Sequence, residues 1–278
     1  MKLRITTLSE NTANMGAFLA EWGLSILIET DGVNTLLDTG ATISTCHNAD
    51  TMGVDLSKID KIVLSHGHHD HTGGLRQVLR RMKKEVEIIA HPDVWQSKYS
   101  RREGQPDKYV GLPFRREELE SLGARFNLTA KPVQLADDIM TTGEIPMTND
   151  YEVIDSHLFV KRAGALKPDT LADDLAIIIN TEPGLVVVLG CAHRGIINTL
   201  HYAQKLTGRK EIHTVIGGSH LIRVSEEQIW QTIGALKDLE VQRLGLCHCT
   251  SLTAAALLAQ EFGERFFFNT VGNILEIP

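Results

Sequence analysis

The chain has 278 residues, of which 42% are hydrophobic and 23% charged, an ordinary balance for a globular protein with a sizeable core. Its 35 acidic residues outnumber 28 basic ones, and a formal charge of −7 argues against a sequence-blind nucleic-acid binder and supplies no polybasic membrane anchor. The opening MKLRITTLSENTANMG lacks the apolar stretch of a secretory signal, no apolar run approaches a bilayer span, and the four cysteines form no C-x-x-C pair, so a cytoplasmic protein with free thiols is expected.

Alternation predicts a first strand over 2–6. An apolar, β-branched run predicts a second over 24–30, and Asp31-Gly32 turns it back into a third over 33–37, with Asp38 at its tip. A fourth strand over 59–65 runs straight into a cluster of histidines. Leu75, Val78, Leu79 and Met82 have helical spacing and predict a helix over 75–84 whose polar face is basic. After a strand at 86–90 the pattern weakens, and the stretch 91–132, with a short helix at 117–122, reads as an insertion or lid. Strands are predicted at 133–135 and 139–142, then at 175–180 and 185–189 around the turn Glu182-Pro183-Gly184. Beyond them helices at 195–206, 225–239 and 252–262 alternate with strands at 213–216, 241–246 and 266–269; Ser225 is a good N-cap before Glu226 and Glu227. No Pro, Gly or Ser linker divides the chain, so one α/β domain over 1–278 is expected, with sheets packed together and helices outside.

The sequence carries 12 histidines, and four of them fall within Ser65-His66-Gly67-His68-His69-Asp70-His71-Thr72-Gly73-Gly74, between a predicted strand and a predicted helix. Imidazole and carboxylate at this density suit zinc, manganese or iron. In a turn at a strand end alternate residues point the same way, so His66 and His68 can grip one ion. Asp70 and His71 open the helix and can face a second ion beside it, giving a binuclear centre. His69 reads as a bystander, and His47, His91, His157, His201 and His213 belong to no constellation.

These residues form the H-x-H-x-D-H signature, and through them the chain resembles the metallo-β-lactamase fold superfamily. The resemblance implies an αββα sandwich of two mixed sheets with helices outside, and two divalent ions, zinc first, at one edge of the sheets. It assigns His66 and His68 to the first ion, Asp70 and His71 to the second, and His248, after the strand at 241–246, to the second ion's last place. Asp38 resembles the aspartate that orients ligands by hydrogen bonds. Many relatives carry Gly-Asp where this chain has Gly190-Cys191-Ala192-His193. Thiolate and imidazole are both competent ligands, so Cys191, His193 or both enter the set; His193 is alternatively an acid–base histidine. The superfamily's third histidine of the first site has no upstream equivalent. Asp173 or Asp174 substitutes there, or the site is under-coordinated. Alternation along the strand should turn Cys247 and Cys249 away from the ion of His248. Asp70, His193 and His220 are the candidates for catalysis, His220 because it too follows a strand.

Leu-Leu-Asp-Thr-Gly, Gly-Cys-Ala-His-Arg-Gly-Ile, Gly-Gly-Ser-His-Leu and Cys-His-Cys-Thr narrow the resemblance. Together they look like the dihydropteroate-synthase-like branch, linked to making the 7,8-dihydropterin-6-methyl-4-(β-D-ribofuranosyl)aminobenzene-5′-phosphate unit of methanopterin. That branch implies a condensation in which an arylamine attacks the methylene carbon of a dihydropterin and pyrophosphate leaves. Arg101, Arg102, Arg115 and Arg116 of the lid can hold phosphates of such small-molecule substrates, and Trp95, Tyr99 and Tyr109 can stack on a pterin. A solvated charged lid with its own small core is the plainer reading of the same residues. The rivals are a binuclear hydrolase of phosphoesters, lactones or thioesters, and a non-catalytic metal-binding protein. No nucleic-acid or membrane partner is expected, and a homo-oligomer is compatible with the sequence.

Overall fold

The computed structural model describes residues 2–278, whose strands form three sheets. The first has seven strands in the spatial order Ile274–Ile277, Leu3–Ser9, Ser25–Glu29, Asn34–Leu37, Lys61–Val63, Val86–Ala90 and Ala124–Leu128. The first four are antiparallel neighbours and the rest add on in parallel. The second sheet runs Arg243–Cys247, Ile212–Gly218, Gly184–Leu189, Ala176–Thr181, Ile139–Thr141 and Gln134–Ala136, parallel among its first three. A small third sheet joins Ala165–Pro168, Leu158–Arg162, Lys98–Ser100 and Lys108–Tyr109.

The run Gly-Leu-Val-Val-Val-Leu has no polar alternation because both its faces are covered. Val186 and Val188 point inward against the first sheet, packing with Ile26, Ile28 and Val63. Leu185, Val187 and Leu189 point outward, onto the helices Ile196–Thr207, Glu226–Asp238 and Leu252–Phe262. The first sheet mirrors this: Leu27, Leu36, Ile62 and Ile88 face the helices Ser44–Met52, Leu75–Met82 and Arg116–Ser121. The result is the αββα sandwich, with the basic face of Leu75–Met82 outward and its four apolar residues buried. No helix among the described residues is long and apolar enough to cross a membrane.

The stretch 91–132 is not one insertion. Arg116–Ser121 and Ala124–Leu128 belong to the first layer pair, where Ala124–Leu128 pairs in parallel with Val86–Ala90. The layer added to the sandwich is the small sheet, half of which comes from 158–168. The strand expected at 266–269 is irregular chain with one bridge, Leu244 to Phe266, and the edge strand is Ile274–Ile277, held against Leu3–Thr6. Helix Ser44–Met52 carries no capping hydrogen bond and no acidic residue in its first turn, so its sequence lacked the usual starting signals.

Parallel strands end on the same edge. The C-terminal ends of Asn34–Leu37, Lys61–Val63, Gly184–Leu189, Ile212–Gly218 and Arg243–Cys247 therefore deliver Asp38, the 65–71 loop, the 190–195 loop, His220 and His248 to one place.

Candidate metal centre

The His66–His71 loop is fixed from below by Asp38. This residue is fully buried, and its positive φ of 59° turns the chain out of its strand. Asp38 Oδ1 accepts the Ser65 N–H at 2.7 Å, and Oδ2 accepts the Ser65 hydroxyl and His71 Nδ1–H, each at 2.6 Å. That last bond leaves His71 Nε2 free to point into the site. A Cβ on Gly190 would fall on the Ser65 hydroxyl, so only glycine lets the 190–195 loop lie this close. From above, Gly67 N–H donates to Asp173 Oδ2 at 2.8 Å, and the other oxygen of Asp173 accepts from Lys98 Nζ at 2.8 Å. Lys98 is 1% exposed and also binds Asp169 at 2.8 Å. Among the described residues it is the largest wholly buried side chain, and no pattern in the sequence marked it, since it lies in the weakly patterned stretch.

Two sets of donors converge above this floor. His66, His68 and His193 bring three nitrogens together, with His66 Nε2 at 2.9 Å from His68 Nδ1 and 3.2 Å from His193 Nε2. Asp70, His71 and His248 form the second set, with His71 Nε2 and His248 Nε2 3.2 Å apart and Asp70 Oδ2 3.5 Å from the latter. Cys191 Sγ lies between them, 3.1 Å from His71 Nε2 and grouped with His66 as well. Among the described residues His68 Nε2, His193 Nδ1 and both ring nitrogens of His220 are buried without a hydrogen-bond partner.

Burial, reinforced by neighbouring cationic groups, holds His66 and His193 well below the ordinary imidazole value and His68 at about 3. All three are neutral, with the lone pairs a metal requires. His71 is the opposite case. Burial disfavours its charge, but Asp38 and Asp70 outweigh burial and raise it to about 9. Burial likewise works against the Asp70 carboxylate, and His71 and His248 overcome it and hold it well below the carboxylate range. Burial pushes the Cys191 thiol up, whereas at Cys249 the neighbouring Cys191, His220 and His248 outweigh burial and bring the thiol down. Buried imidazole nitrogens within hydrogen-bond distance of each other, with a carboxylate and thiols in the same cluster, fit divalent cations.

Three sequence expectations change. The third histidine of the first set is His193: the positive φ of Ala192, 52°, turns the chain so that Cys191 and His193 face the same centre. Neither Asp173 nor Asp174 joins the donors; Asp173 holds Lys98 and Gly67, and Asp174 accepts the Arg194 N–H at 2.9 Å. Alternation also fails past Cys247, because the strand ends there and His248–Thr250 is a 3₁₀ turn with His248 at φ 54°. Cys249 thus swings back to lie with Cys191 and His248, while Cys247 turns away and accepts from Asn269 at 3.5 Å. His248 is steadied by residues the sequence did not mark: Glu10 accepts its N–H at 2.8 Å and Asn11 meets its Nδ1 at 3.0 Å.

A cavity of about 500 Å³ opens over the centre, lined by Asp70, His193, His220 and His248 and by the cationic Arg102, Lys108 and Arg223. Of the residues expected to grip substrate, the structure brings only Arg102 here. Arg101 is paired with Asp107 at 2.8 Å and Arg116 with Glu120 at 2.7 Å, and Arg115 is exposed at a helix start. Trp95 packs on Phe126, and Tyr99 on Tyr109, as parts of the protein's own packing. The His220 ring lies 4.0 Å from the His193 ring, tilted against it by 50°.

Residues 23–196 match the family model of the metallo-β-lactamase superfamily, and the chain belongs to that superfamily. It is a metal-dependent enzyme with the superfamily's fold. Among individual proteins it is similar to the 7,8-dihydropterin-6-methyl-4-(β-D-ribofuranosyl)-aminobenzene-5′-phosphate synthase of Methanocaldococcus jannaschii, 33% identical over 99% of this chain and 96% of that one. A crystal structure of a metal-dependent hydrolase of the β-lactamase superfamily matches with a TM-score of 0.86 at 26% identity, covering 99% of both chains. Zinc-bound PqqB of Methylobacterium extorquens, at 12% identity over 99% of this chain and all of its own, shares the fold with a TM-score of 0.57.

Proposed function

We propose that the protein is a binuclear synthase that joins a dihydropterin pyrophosphate to a ribofuranosylaminobenzene phosphate. The observation that carries this reading is the cavity, in which a cluster of metal donors faces Arg102, Lys108 and Arg223 across a space of about 500 Å³. That space suits a phosphorylated small molecule, and the name of the Methanocaldococcus relative supplies the substrate class. His66, His68 and His193 would hold one ion, and Asp70, His71 and His248 the other, with Cys191 between. Bound there, two divalent ions, zinc by the nitrogen and sulfur donors, would neutralise the charge growing on a departing pyrophosphate. The protein's own groups do the rest. Guanidinium and ammonium groups on the cavity wall orient the phosphates. The arylamine nitrogen bonds to the pterin methylene carbon as the carbon–oxygen bond to pyrophosphate breaks, and His220, with two unpartnered ring nitrogens, takes the proton the nitrogen gives up.

Hydrolysis is the second reading, favoured by the structural likeness to a metal-dependent hydrolase. The two are separated by giving the metal-loaded protein the paired substrates and, separately, a chromogenic phosphodiester. The synthase reading expects the coupled pterin product by mass spectrometry, lost in His68→Ala and His71→Ala. Rapid metal-dependent ester turnover with no coupled product would overturn it.

A further inference from the structure

Outside the two histidine sets the same pocket contains a pair of buried sulfurs. Cys249 is 2% exposed and Cys191 3%. The ligand atoms of Cys191, His248 and Cys249 all lie within 4.8 Å of one another, a three-donor set that does not use the Asp70 carboxylate. His71 Nε2, 3.1 Å from Cys191 Sγ and 3.2 Å from His248 Nε2, is within reach as a fourth donor. The fold makes room for the second sulfur at a specific place. A Cβ on Gly218 would stand 2.7 Å from Cys249 Sγ and 2.5 Å from Gly190 O, so a side chain there would push Cys249 out of the pocket. The 3₁₀ turn at His248–Thr250 does the remainder by bringing two successive residues, His248 and Cys249, to one side. The protein contacts of that sulfur are weak ones, the His220 N–H at 3.2 Å and the Cys191 carbonyl at 3.5 Å.

We propose that Cys249 is a ligand of the metal centre, so that Cys191 and Cys249 would hold the second ion together with His71 and His248. This rests on the binuclear reading above and changes one member of its second set, Cys249 standing in the place given there to Asp70, which names the ion's chemistry. Two soft sulfurs in place of oxygen donors make the site thiophilic, selecting zinc over manganese and magnesium. Asp70, 3.5 Å from His248 Nε2 and 4.0 Å from His71 Nε2, is then free to act toward substrate at the cavity mouth, which it lines.

Cobalt reports thiolates directly. The full chain is stripped with a chelator, reloaded with cobalt(II), and its near-ultraviolet thiolate-to-cobalt charge-transfer band is compared with that of Cys191→Ser, Cys249→Ser and the double variant. The expected result is a band that falls by about half in each single variant and vanishes in the double, while the visible cobalt bands persist. A band unchanged in Cys249→Ser overturns the proposal. So does a wild-type protein that shows the visible bands without charge transfer, and that outcome leaves the binuclear reading standing. Failure to bind cobalt at all overturns both. Where a serine variant does not fold, cadmium-113 resonance of the wild-type protein counts the sulfurs without mutation: a strongly deshielded signal supports two thiolates, and one in the nitrogen and oxygen range refutes them.

Discussion

Replacing Lys98 by methionine isolates what the buried ion cluster contributes. The ammonium is 1% exposed and binds Asp169 and Asp173, each at 2.8 Å. Methionine nearly conserves the volume of the stem, so the loss is electrostatic rather than a cavity. Removing one partner of a buried pair and stranding the other costs about 3–5 kcal/mol, which for a chain of this size is roughly 6–20 °C in Tm. The pH dependence identifies the cause. In the wild type Asp173 is held below its ordinary 3.8, chiefly by Lys98 once burial is overcome. Its contribution is therefore present above 3.8 and lost as pH falls through its depressed value. Lys98 is held above 10.5 because its two aspartates outweigh burial, so its contribution is present below 10.5 and lost only as pH rises through the raised value. Both are complete near neutrality. In Lys98→Met the stranded Asp173 carboxylate takes up a proton as pH falls, so the gap between variant and wild type should be wide at about pH 7.5 and narrow towards about pH 4.5. Urea titrations of chelator-treated protein at the two pH values measure it. An equal gap at both, or none at pH 7.5, would refute the electrostatic account.

Asp38→Asn keeps an acceptor for the Ser65 N–H but turns an amide donor toward His71 Nδ1, and metal affinity by chelator competition should fall about 10–100-fold. In metal-free protein the same change should shrink a pH slope, to the part that Asp70 still supplies. His71, raised from 6.5 to about 9, stabilises the fold fully below 6.5 and loses this as pH climbs through about 9; an unaltered slope in the variant counts against the Asp38–His71 pair. Glu152 accepts the N–H groups of Ile197 and Asn198 at 2.8 Å, capping helix Ile196–Thr207. Glu152→Ala should cost about 1–2 kcal/mol in urea titrations and Glu152→Gln less. Burial raises the Glu152 carboxyl from 4.5, so its ionisation opposes folding as pH rises through that raised value, a slope the glutamine variant should lack.

The sandwich was legible because its strands are buried on both faces and therefore read as unbroken apolar runs, as in Ala176–Thr181 and Gly184–Leu189. The 66–71 loop was legible because its chemistry is concentrated in six consecutive residues. What escaped was set by backbone turns rather than by residue type. His193 and Cys249 reach the centre through positive-φ residues, Ala192 and His248, at which strand alternation stops applying. The cationic wall was misplaced for a related reason. Arg101 and Arg116 satisfy local partners and only Arg102 of the four arginines turns inward, joined by Lys108 of the same stretch and by Arg223 from far along the chain.

The Lys98–Asp173–Gly67 chain has a consequence for how the enzyme takes up its ions. Lys98 belongs to the small outer sheet, and Gly67 to the loop bearing His66 and His68. The hydrogen bonds thus tie the seating of that sheet to the ligand loop, and any factor by which seating favoured metal would act equally in the other direction. Arg102, in the connection between two strands of the same sheet, faces the cavity. On the proposed reading, a phosphorylated substrate that engaged Arg102 and seated the sheet would tighten the grip on metal by the factor by which metal tightened the grip on substrate, and the protein should then surrender its ions to a chelator more slowly with substrate bound than without it.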